Sequence, residues 1–412
     1  MIRLVADKLK GKVKIPPSKS LLHRALVLAS FSKKAVKIHN VNYSNDILAT
    51  ISCLENLGIK MIKENDSITI LPSLIHKVSD INAGESGTTL RFMIPYALLQ
   101  DEEITIDGKN RLKVRPIDDY FPMFEENKVE YVYHDSLPLK LKGRLKAGTY
   151  YLKGNVSSQF ISGLMLTLPF VKGDSKIIIT TKLESKPYVD MTIKICHEFG
   201  VEIKEDGNTY YIKGDQEVNI SEYYVEGDYS QAAFFLVANA LGSEIELEGL
   251  RRSNMQGDEQ IITILENLGV TFDDKFRAVK RDLHSGVISL AQNPDLAPIL
   301  GVLASNIKGE TKLVDLERLA YKESNRLEST LNLLKCLNVK AEAINNALII
   351  SGPADYKVID EVKSYNDHRI VMSSAIMATL SKEVLIDDIK PVNKSFPNFF
   401  TLFVKLGGKV YE

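Results

Sequence analysis

The basic side chains best suited to binding anions stand in loops and at helix starts rather than along helix faces. They are Lys19, Arg24, Arg91, Arg115, Lys322, Arg326, Arg369 and Lys394. A single lysine or arginine is usually a solvated surface charge. Because this set recurs at similar places along the chain, we expect the cations to face one region and to bind a substrate with several anionic groups.

Two carboxylates lie among these cations. Asp295 follows Asn293-Pro294 at an expected helix start, and Glu323 lies between Lys322 and Arg326. Asp295 also suits a helix N-cap, and Glu323 also suits an ion pair on a helix surface. The functional alternative makes one a general base and the other a general acid, with roles separated by their environments.

A run of small residues, 86 to 89, precedes an apolar helix and would let the backbone approach a phosphate or carboxylate closely. Small residues also simply cap helices, so both interpretations stay open. The run is not a P-loop, because no Gly-Lys-Ser/Thr ends it.

The histidines and cysteines do not have the spacing of a metal site. The histidines are His23, His39, His76, His134, His197, His284 and His368, and they form no HExxH or HxH motif. His368 lies inside the candidate run Asn366-Asp367-His368-Arg369. Cys53, Cys196 and Cys336 form no CxxC pair and are expected to be small buried apolar residues. We therefore predict no zinc site. The chain also has no GxGxxG and no GxSxG motif, which disfavours a dinucleotide-binding protein and a serine hydrolase.

The composition of the chain argues against a nucleic-acid-binding protein and a membrane protein. The chain has 412 residues, of which 44% are hydrophobic and 25% charged, and its formal net charge is −1. Such a chain has no overall attraction to nucleic acid or to anionic membranes. No apolar run reaches the roughly 18 residues that a membrane span needs, and residues 1 to 11 lack a signal-peptide core. We therefore predict a cytoplasmic protein with no nucleic-acid or membrane partner.

The elements that must position the site recur along the chain. An amphipathic helix ending in a Leu-Gly-Val-like step before a strand returns six times, at intervals of roughly 70 residues. The steps are Leu57-Gly58-Ile59, Asn127-Lys128-Val129, Phe199-Gly200-Val201, Leu268-Gly269-Val270, Leu337-Asn338-Val339 and Leu406-Gly407-Gly408. Glycine or asparagine after a helix tolerates the left-handed conformation that ends it. We predict one supersecondary unit copied six times.

A second pattern runs in phase with the first. Each amphipathic helix is preceded by a more uniformly apolar helix whose start carries small, polar or charged residues. These starts are Ser18-Lys19-Ser20, Glu85-Ser86-Gly87-Thr88, Ser157-Ser158-Gln159, Gly227-Asp228-Tyr229-Ser230, Asn293-Pro294-Asp295 and Tyr365-Asn366-Asp367-His368-Arg369. Serine, aspartate and asparagine cap free N–H groups, and helix N-termini attract anions. Six units divide into two halves of three, with a boundary expected near Gly214 to Val225, where the polar run 214 to 217 interrupts the pattern.

Together these residues form a specific series of motifs across nearly the whole chain. The motifs are Pro17-Ser18-Lys19-Ser20 with Arg24, Gly87-Thr88-Thr89 with Arg91, Arg115-Pro116-Ile117, Ser157-Ser158-Gln159, Ser185-Lys186-Pro187-Tyr188, Pro294-Asp295, Lys322-Glu323-Ser324-Asn325-Arg326, Asn366-Asp367-His368-Arg369 and Lys394-Ser395-Phe396-Pro397. In identity and order they resemble the 5-enolpyruvylshikimate-3-phosphate synthase family.

The resemblance implies an α/β fold of two inside-out α/β barrel domains, each made of three βαβαββ repeats. It places residues 17–225 in the first domain and residues 1–16 with 226–412 in the second, so that two chain crossings form a hinge. It also implies an active site in the cleft between the domains, closed over the substrates.

The implied enzyme, a 3-phosphoshikimate 1-carboxyvinyltransferase, transfers the enolpyruvyl group of phosphoenolpyruvate to the 5-hydroxyl of shikimate 3-phosphate and releases phosphate. This step lies in the shikimate pathway to chorismate and the aromatic amino acids. The resemblance implies no cofactor, these two small-molecule partners and a monomer. Both substrates are polyanions, which explains why a chain of nearly zero net charge would gather cations at one site.

The resemblance also assigns residues. Asp295 is implied as the proton acceptor and Glu323 as the proton donor. Shikimate 3-phosphate would be bound by Lys19, Ser20, Arg24, Ser157, Ser158, Gln159, Ser185, Tyr188, Asp295 and Lys322. Phosphoenolpyruvate would be bound by Lys19, Gly87, Arg115, Gln159, Arg326, Arg369 and Lys394. The chain departs from the family at Glu85, where many members have asparagine, and at Arg318, where a neutral or acidic residue is expected.

Two other functions stay open at this stage. A sister enzyme transfers enolpyruvyl to UDP-N-acetylglucosamine and typically uses a mobile-loop cysteine, whereas residues 107 to 122 contain no cysteine. A non-catalytic clamp of six repeats would bind nucleic acid, and the near-neutral charge argues against it.

Overall fold

The computed structural model describes residues 1–75 and 78–412. His76, one of the seven histidines, lies outside the described residues. The chain divides into two compact units, residues 17–225 and residues 1–16 with 226–412.

Strands and helices alternate along the described chain. The strands are β1 (Ile2–Val5), β2 (Lys10–Lys14), β3 (Val36–His39), β4 (Met61–Lys63), β5 (Ser67–Ile70), β6 (Asp80–Asn82), β7 (Ile104–Asp107), β8 (Glu130–Val132), β9 (Leu139–Lys142), β10 (Thr149–Leu152), β11 (Ser175–Ile179), β12 (Ile203–Asp206), β13 (Thr209–Ile212), β14 (Glu222–Tyr224), β15 (Glu244–Glu248), β16 (Val270–Phe272), β17 (Ala278–Arg281), β18 (Val287–Ser289), β19 (Gly309–Val314), β20 (Lys340–Ile344), β21 (Ala347–Gly352), β22 (Glu383–Ile386) and β23 (Lys409–Tyr411). The α-helices are α1 (Lys19–Ala29), α2 (Asn45–Asn56), α3 (Gly87–Ala97), α4 (Phe121–Asn127), α5 (Ser158–Thr167), α6 (Lys186–Glu198), α7 (Tyr229–Ala240), α8 (Gln260–Asn267), α9 (Ala297–Ala304), α10 (Arg326–Cys336), α11 (His368–Ser381) and α12 (Phe399–Lys405).

Three four-stranded sheets form the strand layer of the unit 17–225. Their strand orders are β14-β3-β5-β4, β6-β7-β9-β8 and β10-β11-β13-β12. In each sheet the first two strands are parallel and the remaining neighbours are antiparallel. This recurring order is that of a βαβαββ unit whose two final strands form a hairpin, so the predicted repeat is confirmed.

The other unit has one sheet with the same order, β18-β19-β21-β20. Its further strands form the pair β2 and β15, the pair β16 and β17, and the three-stranded sheet β22-β1-β23. Among residues 1–75 and 78–412 the sheets stay open, and none closes on itself as a barrel. The α/β class with sheets outside and helices inside is confirmed for each unit.

Three of the repeats take a strand from a distant part of the chain. Strand β2 lies parallel to β15 and supplies the first strand of the fourth repeat, while β1 pairs with both β22 and β23 as the last strand of the sixth. Strand β14 lies parallel to β3 and supplies the first strand of the first repeat. The first residues of the chain are therefore required to complete the unit that contains residues 226–412.

The first of the two helices in each repeat is the buried one. In α1, α3, α5, α7, α9 and α11 nearly every residue is buried, as their uniformly apolar sequences predict. Side chains cap five of these helix starts, namely Ser18, Ser86, Ser157, Asp228 and Asp367. Along the described chain, no helix combines the length and the apolar character needed to cross a membrane.

The amphipathic helices end as their sequences predict. A residue with positive φ follows each helix, directly at Lys128 (54°) and one residue later at Gly58 (92°), Gly200 (80°), Gly269 (97°), Asn338 (63°) and Gly407 (106°). Five of these six are glycine or asparagine, which adopt this conformation at low cost. Lys128 is the exception, and its side chain is exposed.

Lys128→Gly should stabilise the protein. The substitution removes the steric cost of a left-handed lysine, and the exposed side chain contributes no buried contact. We expect the free energy of unfolding to rise by about 1 kcal/mol in urea denaturation. Gly407→Ala is the matched control, because no described heavy atom lies within 4 Å of the Cβ position there. That control should lose about 1 kcal/mol, and a loss of stability in Lys128→Gly would show that the left-handed lysine carries no such steric cost.

Candidate active site

In the unit 17–225 the starts of α3 and α5 meet. The side-chain amide of Gln159 donates to Thr88 Oγ1 at 2.9 Å, and its carbonyl oxygen accepts from Arg91 Nη1 at 2.8 Å. Arg91 also donates from Nη2 to the Pro116 carbonyl at 2.9 Å and lies over the Phe160 ring. The buried Arg91 therefore fixes Gln159 and the segment that follows Arg115.

Gly87 opens α3 directly against Arg115. A Cβ built at Gly87 would lie 2.6 Å from Nη1 of Arg115 and 2.8 Å from its Cζ. Arg115 is itself 8% exposed. The glycine thus brings a helix N-terminus and a guanidinium together, which is the arrangement that binds a phosphate or carboxylate.

Lys19 reaches the same region from the start of α1. Its ammonium group donates to Asp46 Oδ2 at 2.6 Å, and the buried Asp46 carbonyl accepts from Thr89 Oγ1 at 3.4 Å. Asp46 therefore positions Lys19 beside α3. The hydroxyl chain from Thr89 through Thr50 to His23 Nδ1 continues this connection below the helix starts, with each link at 2.7 Å.

Arg24 links α1 to the start of α6. Its guanidinium donates to the carbonyls of Ser20 and Tyr188 at 2.7 and 3.2 Å and to the Thr192 hydroxyl at 2.8 Å. Burial lowers the pKa of Arg24 to about 10, so it stays protonated at neutral pH. Arg24 thus fixes the backbone of Tyr188 at the start of α6.

The predicted serines lie at helix starts in the same unit. Ser157 caps α5 and accepts from the Gln159 N–H at 3.3 Å, and Ser158 is its buried first residue. Ser185 precedes α6 with a φ of 54°, a strained value for serine. Hydrogen bonds and direct contacts connect a cluster of four predicted residues, Lys19, Gly87, Arg115 and Gln159. Arg24 in α1 bonds to the carbonyls of Ser20 and Tyr188 and so connects these two residues to the same helix as Lys19.

In the other unit Arg326 lies at the centre of a carboxylate cluster. Its Nη1 donates to Asp295 Oδ1 at 2.7 Å, its Nη2 to Glu323 Oε2 at 2.5 Å, and its Nε to Asp367 Oδ2 at 2.8 Å. The Arg326 side chain is 1% exposed. One buried guanidinium is therefore shared by three carboxylates.

Asp295 is the most strongly charge-stabilised carboxylate of this cluster. Besides Arg326, Lys322 Nζ lies 3.0 Å from Oδ1 and Arg369 Nη2 lies 3.1 Å from Oδ2. Burial would raise its pKa, but the charges of Arg369, Lys322 and Arg326 hold the pKa well below its usual range. The cap position of its turn, Pro294–Leu296, is Asn293, so the N-cap interpretation of Asp295 was wrong.

The starts of three buried helices meet here too. Arg369, at the start of α11, donates to the Ser230 hydroxyl at the start of α7 at 3.1 Å as well as to Asp295 before α9. Lys394 donates to the Asn366 carbonyl at 2.6 Å and is 6% exposed. Glu323 lies in the bend before α10 rather than on a helix surface, although its ion pair with Arg326 is present.

Two further acidic partners of the cations, Asp367 and Asp46, were not proposed as site residues from the sequence. Asp367 binds Arg326 and caps α11 by accepting from the Arg369 N–H at 2.9 Å, and its helix-start position was the available signal. Asp46 binds Lys19, and nothing in its local sequence marked it. Of the two departures from the family pattern, Arg318 is buried and donates to the Ala291 carbonyl, while Glu85 is half-buried next to Ser86.

Comparison with known proteins agrees with the sequence motifs. The family model for EPSP synthase (3-phosphoshikimate 1-carboxyvinyltransferase) matches residues 5–403. A 3-phosphoshikimate 1-carboxyvinyltransferase of Clostridium perfringens strain 13 is 43% identical over 419 residues, covering 99% of each chain. One of Clostridium acetobutylicum is 44% identical over 414 residues, covering 98% of this chain and 96% of the relative. A solved EPSP synthase structure from Acinetobacter baumannii has a TM-score of 0.81 at 22% identity, with both chains fully covered.

Arg326→Met should destabilise the protein in a pH-dependent way. The variant leaves three carboxylates without their shared cation, and breaking a buried pair typically costs about 3–5 kcal/mol. The pKa values of Asp295 and Asp367 are lowered in the folded protein, so their contribution is present above their unfolded values near pH 4 and is lost in acid. Urea denaturation should therefore show a deficit that shrinks as the pH falls below about 4.

Arg252→Met provides the control for that measurement. Arg252 pairs with Glu266 at 3.5 Å on the surface of the same unit, with side chains 55% and 43% exposed. Removing it should change the free energy of unfolding by less than about 1 kcal/mol. A deficit in Arg326→Met that stayed constant from neutral to acid pH would assign the effect to lost packing instead of charge.

Proposed function

Because the chain belongs to the EPSP synthase family, we propose which of its residues perform the family's reaction. The enzyme transfers the enolpyruvyl group of phosphoenolpyruvate to shikimate 3-phosphate and releases phosphate. The named relatives favour this acceptor over UDP-N-acetylglucosamine, and membership of an enzyme family removes the non-catalytic clamp.

The chemistry needs a proton donor and a proton acceptor. In the addition step the substrate hydroxyl loses a proton while it attacks C2 of phosphoenolpyruvate, whose methylene carbon gains one. In the elimination step the methyl group loses a proton and phosphate leaves. Both steps also require cations that stabilise the phosphate and carboxylate charges as bonds rearrange.

The observation that carries our assignment is the charge balance of the Arg326 cluster. Asp295, Glu323 and Asp367 face three cations, Lys322, Arg326 and Arg369. The cluster is thus close to neutral before substrates bind. Two polyanions bound at these cations would add excess negative charge, which favours uptake of a proton by one carboxylate.

Glu323 is our candidate for the group that holds this proton. Asp367 is fully buried and bonded to Arg326 by two guanidinium nitrogens, and Asp295 is bonded to three cations. Glu323 pairs with Arg326 Nη2, and its side chain is 19% exposed, whereas that of Asp367 is fully buried. Polyanion binding would leave Glu323 able to donate the proton that the methylene carbon receives.

Asp295 is our candidate base. A carboxylate held by three cations is ionised at neutral pH but is weakly basic, because its pKa lies well below the usual range. Substrate phosphate and carboxylate groups that bind Lys322, Arg326 or Arg369 would weaken the hold of these cations on Asp295 and raise its basicity. The base would then act when both substrates are present.

The anion-binding residues divide between the substrates as follows. We assign Lys19, Ser20, Arg24, Ser157, Ser158, Gln159, Ser185, Tyr188, Asp295 and Lys322 to shikimate 3-phosphate. We assign Lys19, Gly87, Arg115, Gln159, Arg326, Arg369 and Lys394 to phosphoenolpyruvate. Support comes from the connected placement of Lys19, Gly87, Arg115 and Gln159 in one unit and of Asp295, Lys322, Arg326 and Arg369 in the other.

We further propose that the enzyme acts as a cytoplasmic monomer that needs no cofactor. Each unit buries its own apolar core, and the net charge of the chain is −1. Light scattering on the purified protein should give the mass of one chain, whereas the mass of a dimer would contradict the monomer.

Glu323→Gln should lower kcat with little change in either KM. The amide keeps the size of the side chain but cannot supply the proton, and general acid catalysis is typically worth about 100- to 10,000-fold. Phosphate release with both substrates measures the loss. Glu328→Gln is the control, because Glu328 is exposed in the first turn of α10. Turnover in Glu323→Gln equal to that of the control would exclude Glu323 as the donor.

Gly87→Ala should raise the KM for phosphoenolpyruvate. The new methyl group would lie 2.6 Å from the Arg115 guanidinium and would displace it. A misfit of one methyl group in a site is worth about 10- to 200-fold. We expect little change in the KM for shikimate 3-phosphate. Gly148→Ala is the matched control, since its Cβ would meet only Tyr150 Oη, at 4.0 Å; an unchanged KM for phosphoenolpyruvate would remove Gly87 from the site.

A further inference from the structure

One buried carboxylate in the unit 17–225 has no role in the proposed reaction. Asp119 lies in the short helical turn Asp118–Tyr120, and its side chain is 1% exposed. Within the described part of the chain, neither carboxylate oxygen has a hydrogen-bond partner. A buried charge without hydrogen bonds costs stability. Because the ionised Asp119 does not stabilise the fold, we expect its carboxylate to have a functional role.

Two cations act on Asp119. Lys153 Nζ lies 3.7 Å from Oδ1, and the charge of the buried Arg91 also favours the ionised form. The other titratable groups that face it are Asp118 and Tyr120 in its own turn. Burial outweighs both cations and raises the pKa of Asp119 to about 6, so the carboxylate is charged above that pH.

The three groups belong to three segments that carry proposed substrate ligands. Asp119 follows Arg115 in the same loop, and Lys153 precedes Ser157 and Ser158 in the segment between β10 and α5. Arg91 lies in α3 and bonds to Gln159 at the start of α5 and to the Pro116 carbonyl of the Arg115 loop. The charge of Asp119 therefore acts where these segments meet.

We propose that Asp119 is a positioning residue of the substrate site. Its negative charge, acting on Lys153 and Arg91, holds the Arg115 loop against the segment that presents Ser157, Ser158 and Gln159. The carboxylate contacts neither substrate. This inference rests on the proposed roles of Arg115 and Gln159, and it adds a charged group that the family's reaction does not itself require.

The absence of hydrogen bonds makes the test selective. Asp119→Asn keeps the size and shape of the side chain and replaces the charged carboxylate by a neutral amide, and it breaks no hydrogen bond present in the described residues. Above the pKa of Asp119 the variant should fold at least as stably as the parent protein, because it lacks a buried charge whose desolvation outweighs the attraction of Lys153 and Arg91. A loss of activity in a stable variant then reports positioning.

The experiment is steady-state kinetics of phosphate release at about pH 8, well above the pKa of Asp119. In Asp119→Asn we expect the KM for phosphoenolpyruvate to rise by roughly threefold to thirtyfold, the range for groups that act through neighbours. The value of kcat should change less. Asp118→Asn is the matched control, because it removes the same charge from the adjoining exposed side chain, and its KM should stay at the parent value.

The pH dependence separates charge from packing. Asp119 in the parent enzyme becomes protonated as the pH falls through about 6, so the KM ratio of variant to parent should approach one near pH 5. Titration of the substrates cancels in this ratio. The melting temperature of the variant should exceed that of the parent above pH 6, and the difference should shrink between about pH 6 and 4.

A double-variant cycle tests the route through Lys153. Lys153→Gln should raise the same KM, and adding Asp119→Asn to it should raise the KM less than in the parent background. Parent-like KM values in Asp119→Asn at pH 8, or a KM ratio that is constant with pH, would overturn the proposal. Activity of the parent enzyme in the same assay tests the proposed function separately.

Discussion

The site in the unit that contains residues 226–412 depends on one buried guanidinium shared among three carboxylates. Arg326 bonds to Asp295, Glu323 and Asp367, which come from three separate segments of the chain. None of the three acids would be stable at such burial without a cation. The same interaction fixes their orientation and adds to the charges of Arg369 and Lys322 that keep Asp295 ionised. In our proposal it also limits how much further negative charge the cluster accepts before one acid takes up a proton. Stability and the proposed acid–base chemistry thus have a common origin.

The repeat explains how a chain of nearly zero net charge builds the two clusters that we propose as sites for polyanions. In each unit, hydrogen bonds connect the starts of buried helices, through Gln159 and Thr88 in one and through Arg369, Ser230 and Asp295 in the other. Helix starts carry unpaired N–H groups and a partial positive charge. The loops before them add lysine and arginine, and buried acids such as Asp46 and Asp367 orient these cations. Each copy of the unit therefore repeats the same arrangement of a helix N-terminus with nearby cations.

Local signals predicted the helix starts and ends, because caps and left-handed residues act within a few positions of the chain. The prediction succeeded at all six helix ends and missed only the steric cost of the left-handed conformation at Lys128. Contacts between residues far apart in the sequence could not be predicted from local signals. Strands β1, β2 and β14 complete distant repeats, Asp295 binds three cations instead of capping a helix, and Asp46 and Asp119 were not singled out. Each of these depends on a partner far away in sequence, which no local pattern specifies.

The most direct test of the proposed acid–base roles is proton uptake on binding of two unreactive anions. Shikimate 3-phosphate and inorganic phosphate can be titrated together into the enzyme calorimetrically, in buffers of different ionisation enthalpy at about pH 8, where the phosphate monoester of shikimate 3-phosphate is almost entirely the dianion. Protonation changes of inorganic phosphate are common to the parent enzyme and Glu323→Gln, so they cancel in the comparison of the two. The charge balance of the Arg326 cluster predicts that the protein takes up protons as the ligands bind, and that Glu323→Gln takes up fewer. Ligand binding with no proton uptake, or with equal uptake in Glu323→Gln, would contradict the assignment of Glu323 as the proton donor.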